Sequence, residues 1–257
     1  MKKTITRTAL GVLIAIAVTT AMDANGLSAF SALPLFPLMG LFCYFERHSR
    51  QSMGFVWGRW AHYGLAALLP VLVLGTITLI SAAFGAIDLS HTNWNKAWLN
   101  LAIITVSTFL VAIITEEGFF RGWLWASLEK GGLPPRRIWV WTSIAFSLWH
   151  VSAVSLNTGF DLPRSQVPIF LLNAALLGAV WGGLRCLSGS VIVASLSHGV
   201  WNGLAYFLFG YGTKVGALGI RNTAIFGPEA GILGFTANVL CVCALWWCLR
   251  ARFRNTA

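Results

Sequence analysis

Eight long apolar runs account for most of this chain, at about Ala9–Met22, Leu27–Phe45, His62–Ile87, Trp98–Leu128, Ile138–Leu156, Val167–Leu187, Ser190–Phe209 and Gly231–Leu249. An α-helix needs about 20 mainly apolar residues to cross the hydrocarbon core of a bilayer. Lipid offers no water to backbone N–H and C=O groups, so such runs satisfy themselves as helices. A soluble globule is excluded by a 57% hydrophobic, 10% charged composition with mean hydropathy +0.73. The expected fold class is an all-α membrane protein, a polytopic bundle of about eight transmembrane helices forming one integral membrane domain over 1–257. Pro34 and Pro37 predict that the second helix is kinked or starts late. The first run is short and follows Lys2, Lys3 and Arg7, as a signal peptide would. Ala21-Met22-Asp23-Ala24 is a poor cleavage site, so we read the run as a retained helix.

The formal charge of +10 suggests nucleic acid only if the basic residues share one solvent face. They lie between the apolar runs instead, so the expected partner is the bilayer and not nucleic acid. Lys2, Lys3, Arg7, Arg47, Arg50, Arg59, Lys130, Arg136, Arg137, Arg185, Arg250, Arg252 and Arg254 fall on one side, 13 of the 18 Lys and Arg residues. Lys96, Arg164, Lys214 and Arg221 fall on the other, and Arg121 lies within a run. By the positive-inside rule both termini are cytoplasmic. Trp57, Trp60, Tyr63, Trp139 and Trp141 stand where aromatic belts are expected. Five cysteines without metal-ligand spacing read as buried thiols. Asp23, Asp88, Asp161 and Glu229 read as solvated loop charges, His48, His62 and His91 as span-edge residues without a role, and the 210–230 loop as uninformative.

Inside the runs, polar groups are few. Glu116 and Glu117 stand side by side at membrane depth with Arg121 in the same run, where an ionisable group costs about 2.5–3.5 kcal/mol or more and usually marks a functional site. Glu117 and Arg121 are four apart and can pair, whereas a regular helix turns Glu116 about 100° away from Glu117. His150 lies in the fifth run. His198 and Asn202, four apart, share a face of the seventh. Counted along their helices, Glu116, His150 and His198 fall in the half of the bilayer nearer the basic loops, and can meet in a cavity opening toward the cytoplasm. Each residue also has a structural alternative, His150 and His198 as interhelical hydrogen-bond partners and Glu117–Arg121 as a neutralised pair.

The ordered set Glu116-Glu117-x-x-x-Arg121-Gly122, Phe146-x-x-x-His150 and His198-x-x-x-Asn202, on three separate runs, resembles the CAAX-protease and bacteriocin-processing (CPBP) family. These are intramembrane endopeptidases related to the type II CAAX prenyl endopeptidase. The resemblance covers about Trp98 to Phe209, the expected catalytic core at about 98–209. As chemistry, the set suits amide hydrolysis. A carboxylate in apolar surroundings beside an Arg-paired carboxylate is a better general base than one in water. The resemblance implies the same roles: Glu116 and His150 activate water, His198 and Asn202 stabilise the oxyanion, and Glu117–Arg121 supports the site. It further implies a membrane-associated or lipidated peptide or protein substrate, reached from the cytoplasmic side. No cofactor is expected. The alternative is Zn²⁺ held by Glu116, His150 and His198, although no H-E-x-x-H is present. Two other readings stay open, a proton-coupled transporter and a non-catalytic immunity or scaffold membrane protein.

Overall fold

A computed structural model describes residues 2–90, 92–156, 158–212 and 214–254. His91 lies outside the described residues, as do the side chains of Lys2, Lys3, Thr4, Arg252 and Arg254. The helices are α1 (Lys2–Ala24), α2 (Leu35–Glu46), α3 (Trp60–Ala83), α4 (Trp94–Ile114), α5 (Trp125–Lys130), α6 (Pro135–Trp149), α7 (Val151–Ser155), α8 (Val167–Ser188), α9 (Val191–Leu208), α10 (Thr223–Phe226) and α11 (Ile232–Arg254). A π-helical segment, Gly118–Leu124, joins α4 to α5. A two-residue hairpin, β1 (Gly210–Tyr211) with β2 (Lys214–Val215), sits in the long loop before α10. Among the described residues eight segments are long and apolar enough to span a membrane, and they agree with the eight runs of the sequence. The second span does start late: Ser28–Phe30 form a 3₁₀ turn, and α2 begins only after Pro34.

Packing centres on α9 and α8. Helix α9 lies against α4 and α3, and α8 lies between α6 and α11. Close approach of α9 to α4 depends on two glycines four residues apart. A Cβ at Gly199 would stand 2.7 Å from the Thr105 carbonyl oxygen, and one at Gly203 would overlap the Thr105 hydroxyl. Small residues at such spacing let membrane helices pack where no hydrophobic force separates protein from lipid. Helix α1 is built into the same bundle: Trp149 Nε1 donates to Thr19 Oγ1 at 2.8 Å, and Ser152 Oγ donates to Asp23 Oδ2 at 2.6 Å.

The two ends of the bundle are distinct. At one end the loop after α2 bonds to the turn before α9, with Val191 N donating to Gly54 O and Ser190 Oγ to Val56 O. At the other, Ser28 Oγ donates to Thr158 O at 3.0 Å, and Asp88 N to Leu218 O at 2.9 Å. The first end carries Arg47, Arg50, Arg59, Lys130 and Arg136, as expected. Two expectations about side chains fail. Trp139 is not an interfacial anchor but is 4% exposed, donating from Nε1 to Ala179 O and stacking on Trp246 and Phe253. All five thiols are free, yet Cys243 and Cys248 are exposed, because α11 turns one face away from the bundle.

Candidate active site

The double carboxylate stands at a break in its helix. Regular α4 ends at Thr115, whose backbone (φ −108°, ψ −101°) leaves the helical region while its hydroxyl donates back to Val111 O. The π-helical turn follows, a local widening frequent at functional sites. A Cβ at Gly118 would overlap the Ile113 carbonyl oxygen, so only glycine fits this passage.

Both acids therefore address one imidazole, a relation a continuous helix does not provide. His198 Nδ1 lies 3.1 Å from Glu117 Oε1, and His198 Nε2 lies 4.0 Å from Glu116 Oε2. The expected separation of the two acids holds in exposure rather than in partner. Glu117 is fully buried, whereas the Glu116 side chain keeps 20% exposure and faces a cavity. Arg121, also fully buried, donates from Nη1 to Glu117 Oε1 at 3.2 Å and from Nη2 to Gly178 O at 2.9 Å. Its guanidinium sits 4.4 Å from the Phe146 ring centroid, a cation–π contact in an apolar setting. One carboxylate oxygen thus ties the π turn to α9, and one guanidinium ties it to α8.

Aromatic rings set the two histidines. Trp181 stacks on His198 with centroids 3.8 Å apart and planes at 15°. Phe146 contacts the His150 ring at 4.4 Å and points edge-on at His198. His150 Nδ1 lies 2.9 Å from the Phe146 carbonyl oxygen. A carbonyl only accepts, so Nδ1 carries the proton, and Nε2 is the nitrogen left for a ligand. By the same reasoning His198 Nδ1 donates to the Arg-paired Glu117, leaving its Nε2 on the Glu116 side.

Glu116, His150, His198 and Asn202 all line one cavity of about 530 Å³. Phe146, Trp149, Leu177 and Trp181 form its apolar wall. All four sequence-selected residues are brought together, and Glu117 and Arg121 are held behind them. The cavity runs from His198 and Trp181 toward Ser28, Thr158, Gly159 and Tyr211, which are at the end opposite the basic loops.

Two lining residues, Asp23 and Glu229, and one loop depart from the reading of the sequence. Asp23 is 2% exposed and bonded to Ser152, not solvated. Glu229 is half-buried and accepts from Trp201 Nε1 at 3.1 Å. Burial pushes its carboxyl above the ordinary carboxylate range, against the opposing pull of the Trp201 N–H and of His198. The 210–230 loop supplies Tyr211, Lys214 and Glu229 to the wall. Its glycines gave a turn signal, but nothing local says that a loop folds back over a cavity. Asp88 is exposed and bonded to Ser90, and Asp161 is exposed, as read. His48 is paired with Glu46 and Ser127 near the basic end, away from the cavity.

Nδ1 of each histidine is committed to a protein acceptor, so Nε2 of His150 and of His198, with the Glu116 carboxylate, would be the donors to a metal ion. Among the described residues no three His, Cys, Asp or Glu side chains are grouped so as to hold one.

Residues 97–204, less than half of the chain, match the family model described as Type II CAAX prenyl endopeptidase Rce1-like. They run from the first turn of α4 to α9 and include every residue of the motif. No protein with a curated description matches the chain.

Proposed function

We propose that this chain, whose residues 97–204 match the type II CAAX prenyl endopeptidase Rce1-like family model, is a CAAX-type protease of the membrane with its chemistry assigned as follows. Glu116 is the general base, His150 orients the water, and His198 with Asn202 forms the oxyanion hole. The observation that carries this is the convergence of these four side chains on one cavity from three separate spans.

The water loses a proton to Glu116 as its oxygen attacks the scissile carbonyl carbon. Electrons of the C=O bond move to oxygen, and hydrogen bonds from Asn202 and His198 meet the charge. His150 Nε2, the acceptor nitrogen of its tautomer, holds the water's other hydrogen. For His198 to donate from Nε2 while Nδ1 donates to Glu117, both of its ring nitrogens must carry a proton. Collapse of the tetrahedral intermediate breaks the C–N bond, and Glu116 returns its proton to the leaving amine. Products are a carboxylic acid and an amine. Glu117 and Arg121 are positioning residues that hold His198 and the π turn.

The reaction as assigned runs without metal, a reading supported by the suitability of the Asn202 amide for an oxyanion. The substrate class is a membrane-associated polypeptide, prenylated where the family's description applies. The whole chain acts as one integral membrane unit with its catalytic core at about 98–209, α1 retained and both termini cytoplasmic by the distribution of basic residues.

The test is cleavage of a prenylated CAAX peptide by purified protein in lipid vesicles. Glu116→Gln and His150→Ala are expected to lose activity by about 10²–10⁴-fold while remaining folded. Wild-type rates from folded Glu116→Gln would remove Glu116 as the base. Activity that disappears on chelation and returns with stoichiometric zinc would reverse the metal-free assignment.

A further inference from the structure

We infer that a second cavity, which shares Tyr206, Tyr211 and Lys214 with the cavity of Glu116, binds the phosphate-bearing headgroup of an anionic lipid. Its volume is about 640 Å³, and it lies between the loop after α3, the first turns of α4 and the 210–221 segment. The two loops are bonded together: Thr92 Oγ1 donates to Ala217 O at 2.6 Å, and Asp88 N to Leu218 O at 2.9 Å. A Cβ at Gly219, at φ +64°, would overlap the Asp88 carbonyl oxygen, so glycine is what lets them meet. Lys96, Lys214 and Arg221 line this cavity, against one carboxylate among the described lining residues, that of Asp88. Asp88 Oδ1 itself accepts from Ser90 N and Ser90 Oγ. With Arg164, the three cations make up the Lys and Arg residues of this end's described loops and adjoining helix turns. None of the three lies within residues 97–204, so the charge of the cavity is not a feature of the matched family domain.

The apolar side of the cavity separates a lipid from a free phosphate. Ala97, Asn100 and Ile104 of α4 line it. Spaced three and four residues apart, they follow one helix face and carry the cavity about 10 Å down the span. On the same stretch of α4, Leu99, Ile103 and Val106 are 55–60% exposed, a surface suited to acyl chains. Trp94 and Trp98, also exposed, flank Lys96 in sequence, and indoles of this kind sit at headgroup level. Cations thus stand at headgroup depth with apolar surface below them. Basic pockets between transmembrane helices take anionic headgroups for this reason. Lys214 Nζ donates to the Tyr211 hydroxyl and stands 4.6 Å from its ring centroid. A headgroup held by Lys214 therefore rests against the wall of the cavity of Glu116. Binding there does not depend on the protease reading.

The test is equilibrium binding of radiolabelled phosphatidylglycerol to the purified full chain in detergent micelles that contain phosphatidylcholine. Wild type should show saturable binding that unlabelled phosphatidylcholine does not displace, weakening as NaCl rises because Lys96, Lys214 and Arg221 are exposed to screening. Lys96→Ala combined with Arg221→Ala should weaken it by about tenfold or more. Lys214 is left in place because it also lines the cavity of Glu116. Lys96→Arg combined with Arg221→Lys keeps both charges and should bind within about threefold of wild type. Arg164→Ala removes a cation of the same end that does not line the cavity, and should change nothing. Equal binding by wild type and the double alanine variant would overturn the inference. So would an equal loss in Arg164→Ala, which would mean bulk surface charge, or a loss in the charge-keeping variant as large as in the alanine one. Inorganic phosphate separates the two sources of the anion. It should displace no more labelled lipid than NaCl of the same ionic strength. Displacement beyond that control would make the cavity a free-phosphate site and overturn the lipid assignment.

Discussion

Glu117 shows how one fully buried atom can organise a site. Its Oε1 accepts from Arg121 and faces His198 Nδ1, so removing the carboxylate leaves a guanidinium unpaired in an apolar interior. Breaking a buried pair by deleting one partner costs about 3–5 kcal/mol. Glu117→Ala should therefore unfold in detergent at a clearly lower temperature than wild type, and Glu116→Gln should not. Asn202 makes the opposite prediction. It lines the cavity, and loss of one oxyanion donor costs about 10²–10³ in kcat. Asn202→Ala should show that fall with KM little changed and an unfolding temperature near wild type. An equal rise in KM would mean that Asn202 binds substrate rather than the transition state.

Glu229 adds a pH dependence. Its folded-state pKa is raised from the ordinary 4.5, chiefly by burial. A carboxyl raised in the folded state binds its proton more tightly there than when unfolded. Its cost to stability is absent below the unfolded value and grows as pH rises through the folded one. Gln keeps an oxygen to accept from Trp201 but cannot ionise. Unfolding temperatures of Glu229→Gln and wild type, compared from pH 4 upward, should diverge in favour of the variant as pH increases. A constant difference would remove Glu229 ionisation from the stability of the fold.

Elements make a different kind of demand, for closeness. The α4–α9 contact exists because Gly199 and Gly203 present no side chain to Thr105 and Phe109. Gly203→Ala should separate the helices, lower thermal stability and weaken activity by lengthening the Glu117–His198 bond that spans the same interface. Gly64, on α3, has nothing within 4 Å of a Cβ. Gly64→Ala should be neutral or slightly stabilising, since alanine is favoured over glycine in a helix by up to about 1 kcal/mol. Equal loss in both variants would refute the packing argument. Element limits were largely readable in the residues, because hydropathy and length decide which segments can cross a bilayer. The break at Thr115 was not. A threonine followed by two glutamates and a glycine fits an unbroken helix equally well, and only the neighbours at Met39 and Ile113 show why the turn widens there.

For the whole molecule, sequence alone determined the number of spans, the end that carries positive charge, and the polar residues that pay the cost of membrane depth. These follow from physics that is local along the chain: the transfer of each segment into lipid and the rarity of charge within it. Tertiary structure alone decided that both acids face one imidazole, that Asp23 and Glu229 enter the cavity wall, and that the loops after α1, α7 and α9 supply lining residues to it. Helix periodicity says which residues share a face but not which neighbour that face meets. Depth counted along single helices put the catalytic groups in one half of the bilayer, yet the opening depends on which loops close over a gap and which leave it. That choice is made between segments more than a hundred residues apart, such as Ser28 and Thr158, where no local pattern can reach.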